Sequence, residues 1–404
     1  MDGDQERCPF DQGSHPDELL SARPRREDSK LRIVIFTHSL VSDWNHGNAH
    51  FLRGIMRELQ RRGHNVIAYE PRGGWSRANL LRDHGEPAVQ RFHARFPELR
   101  SALYDQASFD AGRILDEAEV VLVHEWNEPW LIEALGRHRR SAGRYVLLFH
   151  DTHHRAVTAP HEIERLDLSG FDGVLCFGEV IRHLYMRYGW ASRAWTWHEA
   201  ADTALFAPLP ETRKQDDLVW IGNWGDEERS RELHEFLLAP IRELGLTATI
   251  HGVRYPASAI AAIASAGASY ASWLPNDEVP AVFAAHRLTA HIPRRPYVEA
   301  LPGIPTIRVF EALACGIPLV SAPWRDSEGL FRPGDYLLAR TGEEMKELIR
   351  AVLKDPDLAA DLAARGLETI RARHTCAHRA EELLAICASC GGPSATAEAA
   401  SAHR

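Results

Sequence analysis

The stretch LRIVIFTHSLVSDWNHGNAHFLRGIMRELQRRGHNVIAY, residues 31–69, holds a complete strand–helix–strand unit. Residues 31–36 are a short run of mostly aliphatic and β-branched side chains, the composition of a parallel strand covered on both faces. A polar loop spans 37–48. From His50 to Arg62, the apolar side chains fall at Phe51, Leu52, Ile55, Met56 and Leu59, the spacing of one helix face. Gly63 is placed to stop that helix, and residues 66–69 begin a second strand. Two parallel strands joined by a helix form the unit from which wound α/β sheets are built.

The alternation repeats outward from this unit. Residues 120–123, 145–149 and 173–177 read as strands, with helices around 130–140 and from 178 through Tyr188. Residues 202–217 (DTALFAPLPETRKQDD) are polar and contain prolines, as a connection between domains would. A second series follows, with strands at 218–221, 248–250, 288–292 and 317–321. Its helices lie near 229–244, 279–286 and 306–315, and residues 343–390 are strongly helical with a turn at Pro356. The fold class expected is α/β: two facing Rossmann-like domains with a cleft between them and a helical C-terminus. The divisions are a leader at 1–29, an N-terminal domain at 30–205, a C-terminal domain at 206–375, a helix at 376–390 and a tail at 391–404.

Bulk composition agrees. A chain of 404 residues exceeds one ordinary core, and 45% hydrophobic with 25% charged residues is globular composition. No apolar run approaches the roughly 18 residues of a membrane span. The N-terminal MDGDQERCPFDQGSHPDE is acidic and polar, unlike a signal peptide. The six cysteines are scattered, mostly within apolar segments, and read as small buried residues in a reducing cytoplasm. Cys387 and Cys390 form a lone CxxC, too little for a zinc site. A net charge of −9 argues against a nucleic-acid partner. Four lysines (Lys30, Lys214, Lys346, Lys354) leave 43 of the 47 basic residues as arginine. A phosphate bound within 31–213 or 215–345 therefore needs arginine or a helix N-terminus, although coding bias accounts for the imbalance equally well.

No GxGxxG follows the first strand and no GxxxxGK[ST] occurs, so the simple dinucleotide and P-loop signatures are absent. The most specific segment is GIPTIRVFEALACGIP, residues 303–318. Pro305 precedes a helix that Thr306 is placed to cap, and unpaired N–H groups at such an end seat a diphosphate. Arg308 adds positive charge, and Glu311 lies one turn further on, where a carboxylate can accept both hydroxyls of a ribose. Read without a ligand, the same residues are an amphipathic helix with a cap and a surface Glu.

RVFEALACGIPLV, residues 308–320, resembles the donor-site signature of GT-B glycosyltransferases of the family 4 type, most closely the CgeB-like (spore-maturation) group. The likeness extends to 324–333 (WRDSEGLFRP), to 374–379 (HTCAHR) and back to 31–64. It implies a nucleoside-diphosphate sugar as co-substrate, no other cofactor, and an acceptor that is a glycan, protein or small molecule. It also implies a retaining, metal-independent transfer with Glu311 on the donor ribose. Family 4 enzymes usually carry a Glu-x7-Glu pair. Here Glu311 matches the second Glu, Gly303 stands at the first, and Glu299 is out of register.

The remaining candidates follow from strand ends and from the resemblance. His150 and Asp151 end the strand 145–149, where open α/β sheets bind ligands; by similarity they would face the sugar as catalytic groups. A metal is not called for, because adjacent residues on one loop rarely converge on an ion. The loop holding His46, Gly47, Asn48 and His50 would lie against acceptor and donor phosphates, with Asn48 also read as a helix cap. Gly222 and Asn223 end a strand beside Arg229 and Arg231, which are weaker candidates than the cleft cations Arg294 and Arg295. Trp273 and Leu274 resemble the place where the nucleotide base stacks, and an ordinary core Trp fits equally. Two other readings share the scaffold: a nucleotide-sugar epimerase using His150 and Asp151, and a non-catalytic nucleotide-sugar or glycan-binding module.

Overall fold

The computed structural model describes residues 30–391 other than His46 and Asp226. Seven strands form the first sheet: β1 (Arg32–Phe36), β2 (Asn65–Pro71), β3 (Ser101–Tyr104), β4 (Val120–His124), β5 (Val146–Asp151), β6 (Gly173–Cys176) and β7 (Ala194–Thr196). The second has six: β8 (Asp216–Ile221), β9 (Ala248–His251), β10 (Ser269–Tyr270), β11 (His286–His291), β12 (Leu319–Ser321) and β13 (Leu337–Leu338). Strand orders are 3-2-1-4-5-6-7 and 10-9-8-11-12-13, with every pairing parallel. Both sheets are wound the same way: the chain reverses direction between β1 and β4, and again between β8 and β11. A crevice opens at the carboxyl ends of the strands at each reversal, where doubly wound sheets bind ligands.

The unit at 31–69 shows why. Ile33, Val34, Ile35 and Phe36 are buried, and Val34 sits opposite both Ile67 and Val121 in the central register. The helix Ala49–Arg61 buries the five predicted apolar side chains, and with them His50 and Arg53. Arg53 donates to the carbonyls of Leu40 and Val41 and pairs with Asp43 at 3.1 Å. A buried arginine thus ties down the polar loop that leaves β1.

Several elements depart from expectation, each for a physical reason. β3 and β7 are short strands of mostly half-buried residues, and β10 and β13 have two residues each; none carries a hydrophobic run long enough to read. The helix Trp75–Arg95 is broken by Gly85 (φ +68°) and Pro87, which hides its periodicity. The helix expected at 229–244 begins at Ser230 and widens to a π turn over His234–Leu238. Pro240, just beyond, has no N–H to continue the regular ladder. Asn48 and Thr306 stand at N-cap positions, but neither side chain makes a capping hydrogen bond.

The last helix, Cys376–Ser389, crosses back to the first half and packs along Ala49–Arg61. Ala201 N–H donates to the His374 carbonyl and Cys376 N–H to the Ala201 carbonyl, while the Trp197 indole N–H donates to the Arg379 carbonyl. Close approach depends on Gly54: a Cβ there would lie 2.5 Å from Cys376 Sγ and 2.7 Å from Asp202 Cβ. Removing a helix glycine recovers at most about 1 kcal/mol of propensity, whereas overpacking costs roughly 1–3 kcal/mol or more. Gly54→Val should therefore lower stability by about 2 kcal/mol. A thermal melt checks this, and an unchanged Tm would show that the helix contact yields freely.

Candidate active site

A cavity of about 1120 Å³ lies between the carboxyl ends of the two sheets. The first half contributes the loops after β1 (Asp43, Asn45, Gly47, Asn48), after β4 (Trp126, Glu128) and after β5 (Thr152, His153, His154). The second contributes Gly222 and Asn223 after β8, Gly252 to Arg254 after β9, Trp273 and Leu274 after β10, and Arg294 and Tyr297 after β11. Pro305, Thr306, Ile307 and Arg308 complete the wall at a helix N-terminus. The helix is Ile307–Ala314, eight residues ending at Cys315 and Gly316.

Hydrogen bonds lock the facing loops together. Asp43 accepts from the Trp273 indole N–H at 3.2 Å and from the Asn276 N–H at 2.9 Å. Asn276 Nδ2 donates to the Gly47 carbonyl, and Asn223 Nδ2 to Asn45 Oδ1. Gly47 is needed for this approach, because a Cβ would lie 2.6 Å from Ile307 Cγ2. Trp273 is held against the His84 ring, 4.3 Å between centroids, leaving it and Leu274 on the cavity wall.

Arg229, Arg294 and Arg308 line the cavity, as do Arg72 and Arg254. Arg229 is buried and donates to the Ile292 carbonyl and to the backbone and side-chain oxygens of Asn223. Burial, with the Arg294 charge nearby, lowers its pKa to about 10, so it stays a cation at neutral pH. Arg294 bonds Glu228 at 2.9 Å and Asn223 Oδ1 at 3.0 Å. Arg308 pairs with Glu311 one turn along its helix. Arg231 and Arg295 lie outside the wall, and Arg231 is largely exposed.

Glu311 is fully buried and does not itself line the cavity. Its Oε1 lies 2.8 Å from His50 Nδ1, and Oε2 accepts from Arg308. Burial alone would raise its pKa; the Arg308 guanidinium and His50 outweigh that and hold the carboxyl below its ordinary range. The carboxylate expected to face a ribose instead stands behind Arg308, and His50 stands behind Gly47 rather than on the wall. His46 lies outside the described residues.

His150 and Asp151 are also set deeper than their position after residue 149 suggested. β5 continues through Asp151, which still pairs with Cys176, so both side chains belong to the sheet interior and neither lines the cavity. His150 packs edge-on against Trp197 with centroids 4.8 Å apart, and burial lowers its pKa to about 3, leaving a neutral imidazole. Asp151 accepts from the Tyr185 hydroxyl and the His153 N–H. The loop begins at Thr152, and Thr152, His153 and His154 are the residues that reach the wall.

Asp151 also shares a buried acidic pair with Glu125, which accepts from Thr152 and Arg155. One guanidinium faces two carboxyls; burial raises both pKa values, and the Asp151 charge adds to it at Glu125, which reaches about 8. A group whose pKa is raised on folding contributes stability at low pH and loses it as pH climbs toward the folded value. Stability should therefore fall between about pH 4.5 and 8, with a slope of at most about 1.4 kcal/mol per pH unit for one retained proton. Denaturant titrations at pH 5 and pH 8 check this; Glu125→Gln should flatten the slope, and an unchanged slope would contradict the shared proton.

Glu125, Trp126, Tyr297 and Glu199 were not anticipated. Glu125 and Trp126 follow the carboxyl end of β4 and could have been found by the strand-end rule. Glu199 sits just ahead of the connection read at 202–217, in a stretch (WHEAADTALF, 197–206) without a local signal.

Two Rossmann-like halves facing one another across such a cavity define the GT-B fold. Residues 229–385 match a family model described as "Glycosyl transferase-like". No curated protein matches the sequence. Solved structures of the same fold include sucrose-phosphate synthase from Thermosynechococcus elongatus, with TM-score 0.58 and 13% identity over 88% of this chain and 98% of that one. The HepE protein of Anabaena in complex with UDP and glucose gives TM-score 0.62 and 14% identity, covering 89% and 100%. An alpha-glucosyltransferase in complex with UDP and a 13-mer DNA gives TM-score 0.63 and 12% identity, with the same coverages. At such identities the likeness shows the fold. Among the described residues no helix is long and apolar enough to cross a membrane.

Proposed function

We propose that this protein is a glycosyltransferase that moves a sugar from a nucleoside-diphosphate sugar to an acceptor hydroxyl. The observation that carries the reading is the meeting of Arg308, Arg229 and Arg294 with the N-terminus of Ile307–Ala314 in one cavity between two Rossmann-like sheets. A departing diphosphate needs preorganised positive charge, and fixed arginines beside free backbone N–H groups supply it without reorganisation. Trp273 and Leu274 offer an apolar face for the base at one end of the cavity. We assign the acceptor to the side of Trp75, Trp126 and Trp130, where indole faces suit a sugar or another flat apolar body. Two of these, Trp75 and Trp126, are exposed for their size.

UDP is the first nucleotide to try, since it is present in two of the related structures. The retaining outcome and independence from added metal are proposals of the same reading, as are the CgeB-like relationship and a cytoplasmic site of action. The described cysteines are free and mostly buried, in keeping with the last. Glu311 acts as a positioning residue, through Arg308 and His50. An epimerase would need His150 and Asp151 at the ligand, and the sheet interior holds both.

Incubation with a panel of nucleotide sugars and acceptors, following free nucleoside diphosphate and product anomer, tests the proposal. Diphosphate release with a glycosylated product supports transfer. Binding without turnover would favour a binding module, and interconversion of two sugars without diphosphate release would favour the epimerase.

A further inference from the structure

We propose that Glu199 holds the hydroxyls of the transferred sugar, supplying the carboxyl group of the donor site from the first half of the chain. The inference rests on the donor reading above and adds a residue from the loop after β7, outside the helix Ile307–Ala314. Glu199 lines the cavity, is only 4% exposed, and its Oε1 has no hydrogen-bond partner. A buried polar atom on a cavity wall is ordinarily satisfied, so an open acceptor or donor position marks where a ligand atom belongs.

The residue is also rigidly presented. On one side Trp197 is fully buried and its indole N–H is bonded to the Arg379 carbonyl. Next to Glu199, His198 Nε2 lies 2.7 Å from Glu328 Oε2, a contact from the first half to the second. A carboxyl fixed in this way keeps its geometry when a ligand arrives, as a positioning group for a sugar must.

Charge identifies the part of the donor it meets. Glu311 and Glu125 act on Glu199 with negative charge, and Arg308 acts on it with positive charge. Burial first, and then those carboxylates, push its pKa well above the ordinary range. A carboxyl group pairs with sugar hydroxyls through hydrogen bonds and cannot neutralise a diphosphate. Arg308 acts electrostatically on His251, at the end of β9, as well as on Glu199. A diphosphate at Arg308 with its base at Trp273 would bring the sugar to Glu199, which lines the same cavity with Tyr297 and feels the Arg308 charge.

The position where family 4 enzymes carry their first Glu has no room for a side chain here. Gly303 has φ +91°, and a Cβ there would lie 2.6 Å from Glu328 Cγ. Glu328 in turn spends its oxygens on the Glu179 N–H and on His198.

Calorimetric titrations of the wild type, Glu199→Gln and Glu199→Ala with UDP and with UDP-glucose, and with the corresponding GDP and dTDP pairs, test the assignment. Affinity for the free diphosphate should stay within about twofold in all three proteins. Affinity for the sugar conjugate should fall about tenfold in Glu199→Ala, the loss of roughly one hydrogen bond, and be largely kept in Glu199→Gln. An equal loss for diphosphate and conjugate, or no loss for either, would overturn the assignment while leaving the donor site standing. A wild type that binds none of the six ligands would overturn the donor reading itself, and this proposal with it.

Discussion

Glu311→Ala should remove most donor-nucleotide binding and a measurable part of the stability in a single step. The Glu311 carboxylate is buried and bridges His50, from the first half, to Arg308 on its own helix. Removing one partner of a buried pair costs roughly 3–5 kcal/mol because the other charge is left uncompensated. Arg308 has a side chain 22% exposed and can partly rehydrate, so about 2–3 kcal/mol is the better expectation. Binding falls because Arg308 loses the anchor that aims it across the cavity. Glu311→Gln keeps volume and one acceptor and should lose less of both. The pH dependence has a definite sign. The folded-state pKa is depressed, so the carboxylate stabilises the fold above its unfolded value of about 4.5 and ceases to do so as pH falls through the lower folded value. Thermal melts and nucleotide titrations on the same samples check both parts. An Ala variant with wild-type Tm and wild-type affinity would show that the bridge is incidental.

Arg308→Ala should weaken nucleoside diphosphate binding by about 100-fold and slow turnover by a factor on the order of 10² to 10³. The first figure is that of losing one or two hydrogen bonds to a charged group. The second adds the loss of a preorganised cation where negative charge builds up on the leaving group. Lysine should rescue only part, because its point charge lacks the planar fork that engages two phosphate oxygens. The effect should be specific to the phosphates: affinity for uridine, which lacks them, should change little. Diphosphate affinity within threefold of wild type would move the anion site to Arg229 and Arg294, which lie on the same wall.

Most of the architecture was legible because its signals are local. β1, β4, β5 and β6 are apolar runs, and the helices between them bury one face each, so alternation alone implied two wound sheets. What escaped notice had no local signature: β10 and β13 are two residues long, and the helix Trp75–Arg95 is interrupted by Gly85 and Pro87. The arginine-lined cavity was half visible. Arg294, Arg308, Gly222, Asn223, Trp273 and Leu274 all reach it, since each follows a strand or opens a helix. His150, Asp151, Glu311 and His50 do not, and the difference is one of depth. Strand β5 runs two residues beyond its apolar core, and Glu311 turns toward His50, a partner more than 250 residues away in the chain. Glu199 was invisible for the same reason: it follows the short strand β7, and its neighbours come from two distant segments, Glu125 after β4 and Arg308 with Glu311 on one helix.

We place a nucleoside-diphosphate site on the wall formed by Arg308 and the helix it opens. Its most direct test is a calorimetric titration of the wild-type protein with UDP, GDP and dTDP, repeated on Arg308→Ala. One nucleotide should bind at one site per chain, and that binding should fall by about two orders of magnitude in the variant. Failure of all three to bind, or binding indifferent to Arg308, would contradict it.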